Sequence, residues 1–435
     1  MTDDVVVVGG GIEGYVAALT AALEEPVADI RLLVRDDGRF RHEPGWIDLL
    51  GYPPADGDSA GDDGSGPVRE PLQEPFAALS DLPADHPYSR AGIEEVRRAL
   101  SLFEELSGYE GLDSDANALV ATATGEVTPT FLYPDSVASG LASDGRETLL
   151  VGFERIVDFD AALAAAKLDE QLPYDVGHTT IELDVEVGGA EPAERFAEVL
   201  DDNEELDGEL PTRRAVAGKI RNDLDIEPRI GFPAVLGRSA ADDVRSDLEA
   251  ILQADVFEVP LGPPSMPGLR LADRLRSELD DAGVAVETGM TVTDVGTADG
   301  RVASVEVAGG SAEGDDLRER YEGEQFVLAT GGVGAGGLRA DRERIREPAL
   351  GCHVAQPADR ADWVADGFLD DQPFARAGLA VDDKFRPLDA DGTPEFENLR
   401  AAGRVLGGAD VAAEQSTGGV AVVTGYAAGQ RAAEW

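Results

Sequence analysis

Residues 5–14, VVVVGGGIEG, constrain the fold more than any other stretch. Four consecutive β-branched side chains favour a strand, and a strand apolar on both faces belongs inside a parallel sheet. It stops at a glycine cluster in which Gly9, Gly11 and Gly14 have the G-x-G-x-x-G spacing. In such a turn the first glycine bends the chain, the second lets the backbone approach a phosphate, and the third lets the next helix pack closely on the strand. The run from Ala17 to Leu23 predicts that helix, its positive end aimed at the phosphate. With the strand before it and the helix after it, the stretch reads as a nucleotide-phosphate site; a purely structural glycine turn is the alternative.

A second strand, IRLLV, closes a β-α-β unit. An acid at the end of this strand usually accepts a hydrogen bond from an adenosine ribose. Arg35 stands there, followed by Asp36 and Asp37. An arginine suits a phosphate or a mononucleotide, whereas a one-residue shift gives Asp36 the acid's role. Residues 51–80 form an acidic, flexible excursion whose first part is rich in Gly, Pro, Asp and Ser. HPYSRAG then precedes an amphipathic helix with Ile93, Val96, Ala99, Leu100, Phe103 and Leu106 on one face. From TLLVGF onward, strands and helices alternate, which predicts an inserted α/β domain over 81–289 that covers a cofactor or meets a partner.

The first domain, 1–50 and 290–435, is then discontinuous. In its returning half VAVETGMTVTDV and RVASVEVA predict a strand pair around the turn ADGR. FVLATGG is an apolar strand that breaks after Thr330 at Gly331, where a backbone can approach a cofactor. Gly403 ends a further short strand, and Ser416 or Thr417 can cap a last helix beginning near Gly418 and Gly419. The N-terminus of that helix is suited to an anionic reduced cofactor. The fold class expected is α/β: a Rossmann-type domain with an inserted α/β second domain.

Composition narrows the function. The 435 residues suffice for two packed domains, and no run of about 18 apolar residues occurs, so a cytoplasmic chain is expected. Asp and Glu total 87 against 36 Lys plus Arg, for a net charge of −51. Only Lys167, Lys219 and Lys384 are lysines. The acids spread along the whole chain, which reads as solvation in a salt-rich cytoplasm more than as a docking face for a basic partner, and they repel nucleic acid. The single Cys352 can form neither an intrachain disulfide nor an iron–sulfur site, so electron chemistry needs a bound organic cofactor or another subunit. No metal-ligand spacing is present. His86, beside Tyr88, and His353 are the bases near recognisable motifs, each a structural histidine on the bland reading. Arg346 can clamp a phosphate in two-pronged fashion or pair with an acid such as Glu347.

GGGIEG, WIDLL, HPYS, IREPALG, the stretch from QPF to VDDKFRP, and ENLRAAGRVLGG together resemble the two-domain flavoprotein oxidoreductases, and within them the B-subunit family of anaerobic glycerol-3-phosphate dehydrogenase. The similarity runs from end to end, with the IREP and RVLGG segments more specific than the glycine fingerprint. It implies a flavin-binding subunit of a complex that oxidises sn-glycerol 3-phosphate to dihydroxyacetone phosphate and passes electrons towards quinone. The implied cofactor is FMN, with FAD the alternative. The implied partners are an A subunit that contains FAD and a C subunit that holds iron–sulfur clusters, and the chain would meet the membrane only through them. Gly9, Gly11, Gly14, Arg35, Thr330, Gly331, Gly403, Gly418 and Gly419 are then cofactor-binding candidates; His86 and Arg346 are the catalytic candidates. EQSTGGV is shorter in glycine than the family pattern, and the excursion after Gly51 is an acidic insertion. The competing readings are an independent flavin oxidoreductase and a flavin-free assembly subunit.

The charge yields a first prediction. Self-repulsion of −51 charges should lower the melting temperature as salt falls from molar to millimolar; an unchanged temperature would refute the solvation reading.

Overall fold

The computed structural model describes residues 2–54, 70–183, 192–206, 210–221, 227–310, 316–365 and 372–434. They divide into two compact units, one of 1–39, 48–107 and 274–435, the other of 40–47 and 108–273.

The first unit is built on a seven-stranded sheet. Strand β1 (Thr2–Val8) leads through α1 (Ile12–Glu24) to β2 (Ile30–Val34). The helices α2 (Pro87–Ala91) and α3 (Ile93–Ser107) follow, then β3 (Ala285–Thr288), β4 (Met290–Ala298), β5 (Arg301–Gly310), β6 (Asp316–Leu328), β7 (Leu399–Ala401) and α4 (Thr417–Ala433). The sheet order is β3-β2-β1-β6-β5-β4, with β7 also on β6. Val5, Val6 and Val7 are wholly buried, as expected of a strand with parallel neighbours on both sides. Strand β6 has two roles: its first half pairs antiparallel with β5, its second half parallel with β1 and β7. The β4–β5 hairpin turns at Asp299 and Gly300, both with positive φ, as the ADGR sequence predicts.

Two close approaches hold the first β-α-β unit together. Gly9 has φ +143°, and a methyl group there would fall 1.7 Å from the Ala329 carbonyl oxygen at the end of β6; one at Gly14 would fall 2.1 Å from the Gly9 carbonyl oxygen. Helix α4 lies on α1 in the same manner. A methyl group at Gly425 would sit 2.6 Å from the Glu13 carbonyl oxygen and one at Gly429 2.3 Å from that of Ala17. On its other side α4 is tied to α3 by an ion pair between Arg431 and Glu95.

The second unit carries a four-stranded, all-parallel sheet in the order Asp255–Val259, Arg229–Pro233, Thr148–Phe153, Val176–Ile181. Phe153, Phe196, Phe232 and Val256 are among the side chains of its core. Arg229 is buried there, with its guanidinium donating to Thr148 Oγ1 at 2.7 Å and to the Leu141 and Ser139 carbonyl oxygens.

The observed division is narrower than the 81–289 read from the sequence. Helices α2 and α3 belong to the first unit, because Val96, Ala99, Leu100 and Phe103 form a buried face in contact with α4. Strand β3 belongs there too, since it pairs with β2 from Ala285 opposite Arg31 to Thr288 opposite Val34. Of the expected excursion, 55–69 lie outside the described residues. Its end is ordered: Pro75–Ala78 is helical, Leu79 is buried, and the Arg97 guanidinium lies 4.0 Å from the centre of the Phe76 ring.

Substituting leucine at Gly429 should force α1 and α4 apart and lower the unfolding free energy by about 1–3 kcal/mol. Urea denaturation in molar salt measures this; a loss below about 0.5 kcal/mol would show the helix contact to be slack.

Candidate functional site

The carboxyl ends of parallel strands gather ligands because loops diverge there and helix N-termini point inward. At the ends of β1 and β2 the first unit has a cavity of about 310 Å³. Its wall includes Gly9 and Gly10 of the fingerprint, Arg35 and Asp36 after β2, Arg39, the first residues of β4, Thr330, and Arg339. Three arginines against one carboxylate, Asp36, thus line one space in a chain of net charge −51, a local excess of positive charge that suits an anion.

The cofactor candidates fall into two groups. Gly9, Arg35 and Thr330 line the cavity. The Thr330 hydroxyl oxygen is buried without a hydrogen-bond partner among the described residues, a donor left for a ligand. Arg39 donates to the Thr330 carbonyl oxygen, and a methyl group at Gly331 would fall 2.7 Å from its Nη2. Arg35 is half-exposed and pairs with Asp36 at 3.0 Å. Gly11 and Gly403 converge on a different group, the side chain of Glu13: methyl groups there would fall 2.6 Å from its Oε2 and 2.5 Å from its Cγ. Gly14 is a helix-packing position, as above.

The start of α4 departs from the expectation. Ser416 is the N-cap residue but makes no side-chain cap bond; its hydroxyl donates to Glu414 Oε2 at 3.2 Å. Gly418 is buried in the first turn. Gly419 donates its N–H to the Asp48 carbonyl oxygen at 2.8 Å, and a methyl group there would fall 2.3 Å from the Tyr88 hydroxyl. Gly419 therefore serves a close backbone contact, and its amide is already engaged.

Both catalytic candidates have other employment. His86 is wholly buried. Its Nδ1 accepts the Tyr88 N–H at 3.1 Å, capping α2, which leaves the ring proton on Nε2 to donate to Glu414 Oε2 at 3.1 Å. Burial, with Glu414 and Asp48 adding to it, pushes the Tyr88 hydroxyl well above its ordinary range, so it stays protonated and donates to the Leu49 carbonyl oxygen at 2.6 Å. This cluster ties α2 to the turn before α4. Arg346 is exposed and pairs with Asp341, not Glu347. Glu347 instead accepts the N–H groups of Ala349, Leu350 and Cys352. His353 is exposed.

Two site residues escaped the sequence reading. Arg39 lies in a short 3-10 helix, Asp37–His42, beyond β2, where no sequence periodicity marks it. Glu13 had a signal: a carboxylic acid inside a fingerprint that receives phosphate is a local contradiction.

Comparison with known proteins accounts for this architecture. The family model described as an FAD binding domain matches residues 4–420. A Halobacterium salinarum protein described as the probable B subunit of an anaerobic glycerol-3-phosphate dehydrogenase is 43% identical, over 99% of this chain and 98% of its own length. The chain belongs to the B-subunit family of anaerobic glycerol-3-phosphate dehydrogenase. A Vibrio cholerae B subunit is 29% identical over 97% of this chain and 94% of its own. Among solved structures, a flavocytochrome c3 fumarate reductase in an open conformation covers all of this chain and 78% of its own, with 13% identity and a TM-score of 0.43. This member of the B-subunit family is accordingly a flavoprotein of Rossmann-type α/β fold, and the buried Thr330 hydroxyl, the guanidinium-lined cavity and the glycine loop fit a phosphate-bearing flavin. No helix among the described residues is long and apolar enough to cross a membrane.

Replacing His86 by alanine removes the cap of α2 and one partner of buried Glu414, and should cost about 1–3 kcal/mol of stability. Replacing exposed His353 should change stability by less than about 0.5 kcal/mol. Equal, small losses by urea denaturation would refute a structural role for His86.

Proposed function

We propose that this chain is the flavin-bearing subunit of an anaerobic glycerol-3-phosphate dehydrogenase, acting in the oxidation of sn-glycerol 3-phosphate to dihydroxyacetone phosphate with electrons passing towards quinone. The observation that carries the reading is the end-to-end likeness to the Halobacterium B subunit, joined to a guanidinium-lined cavity at the fingerprint. The partners are an A subunit that contains FAD and a C subunit that holds iron–sulfur clusters, and contact with the inner face of the membrane runs through them. Cys352 is buried, and burial together with Glu347 and Glu395 pushes its thiol far up, so this chain supplies no thiolate for a cluster.

A flavin supplies a two-electron acceptor that the side chains lack. The protein's contribution is to hold it. Gly9 and Gly10 of the glycine loop would lie along the phosphate, and Arg39 and the Thr330 hydroxyl would add donors beside them. Neither His86 nor Arg346 is free for substrate chemistry in this arrangement, which favours electron relay within the complex, with proton abstraction from the carbinol in a partner.

We infer FAD as the flavin. The cavity extends past the phosphate loop to the end of β2, space that a mononucleotide terminating at Gly11 would leave unused. FMN is the second reading. It is favoured by Arg35, which holds Asp36 in an ion pair and so competes for the acid that would accept an adenosine ribose.

Chromatography of the heat-released flavin distinguishes the two, with FAD the expected result. Glycerol 3-phosphate should bleach the flavin only when the partner subunits are present. Bleaching of the isolated chain would favour an independent oxidoreductase, and a colourless native preparation a flavin-free assembly subunit.

A further inference from the structure

We propose that Glu13 binds the phosphate-bearing chain of the flavin as a neutral carboxylic acid, so that cofactor binding takes up as much as one proton, depending on pH. The inference rests on the flavin reading above and adds a ligand and a pH dependence to that site.

The geometry is specific. The Glu13 side chain is 5% exposed and lies between two backbone segments, with methyl groups at Gly11 and Gly403 falling 2.6 Å from its Oε2 and 2.6 Å from its Cδ. Gly11 is the glycine whose missing side chain lets a phosphate reach the backbone. The carboxyl group therefore occupies the space beside Gly11 that this fingerprint keeps clear for a phosphate. An ionised carboxylate there would repel phosphate in a site shielded from water. A protonated one can donate a hydrogen bond to it from its place between the loop and the Gly403 turn.

The surroundings give the sign. Burial raises the Glu13 pKa, opposed by the Arg39 guanidinium, by a hydrogen bond from its own backbone N–H, and by the Arg404 guanidinium. The facing helix α4 meets the Glu13 backbone through Gly425, which carries no charge. A phosphate arriving beside Arg39 draws on the same cation and adds negative charge, which raises the Glu13 pKa further. A group whose pKa rises on binding strengthens binding fully below its free-state pKa. That gain is lost as pH climbs from the free-state towards the bound-state value. In that window the dissociation constant should rise by up to about tenfold per pH unit.

The test titrates FAD, and FMN in parallel, into the full chain stripped of flavin, in molar salt across the weakly acid to weakly alkaline range. Wild-type affinity should fall with rising pH. Glu13→Gln, a permanent neutral donor of the same shape, should bind with no pH dependence and as tightly as the wild type does at low pH. Calorimetry of the wild type in two buffers of different ionisation enthalpy should register net proton uptake of between zero and one, which needs no variant. Flavin binding that is pH-independent, that tightens as pH rises, or that proceeds without proton uptake overturns the inference and leaves the flavin reading standing. A chain that binds no flavin at any pH overturns both.

Discussion

The structure depends on backbone meeting backbone without side chains between. Gly9 abuts the carbonyl of Ala329, Gly14 that of Gly9, and Gly425 and Gly429 those of Glu13 and Ala17. Each contact is closer than any Cβ permits, so helix α1 is held from both sides, by the sheet and by α4. That double constraint fixes where the first turn of α1 points. A β-branched strand alone would place β1 in the sheet; only the glycines let the helix approach near enough to aim at a ligand.

Electrostatics then set this cavity apart from the general surface. A chain with 87 acids repels anions almost everywhere, yet Arg35, Arg39 and Arg339 face one cavity at the ends of β1 and β2. Guanidiniums are suited to this duty, since they stay charged and offer planar pairs of donors. Arg39 is shared three ways, among the Thr330 carbonyl, the space beside Gly331 and the field on Glu13.

The His86 cluster shows how a histidine near a motif turns structural. Its two ring nitrogens serve a helix cap and a buried carboxylate, and Ser416 joins the same carboxylate in place of capping α4. With both ring nitrogens engaged, His86 holds the fold at this point.

Local pattern carried much of this architecture. The 5–14 stretch specifies strand, turn and helix because chain stiffness and glycine spacing act over a few residues, and ADGR specifies its hairpin for the same reason. The amphipathic face of α3 was legible except at its first residue: Val96, Ala99, Leu100, Phe103 and Leu106 are buried, whereas Ile93 at the helix start is exposed. Which element that face covers was not, because periodicity reports burial without naming the partner; hence α2, α3 and β3 fall in the first unit and not in the inserted one. The site divides in the same way. Gly9, Thr330 and Arg35 were readable as neighbours of strand ends, whereas Arg39 reaches Thr330 across 291 positions. The sequence by itself determined a β-α-β unit with a glycine turn and an acidic, cysteine-poor chain. Only the tertiary structure decided which charges meet there, because Gly11, Glu13, Arg39 and Gly403 come together through sheet order and helix packing that no local pattern encodes.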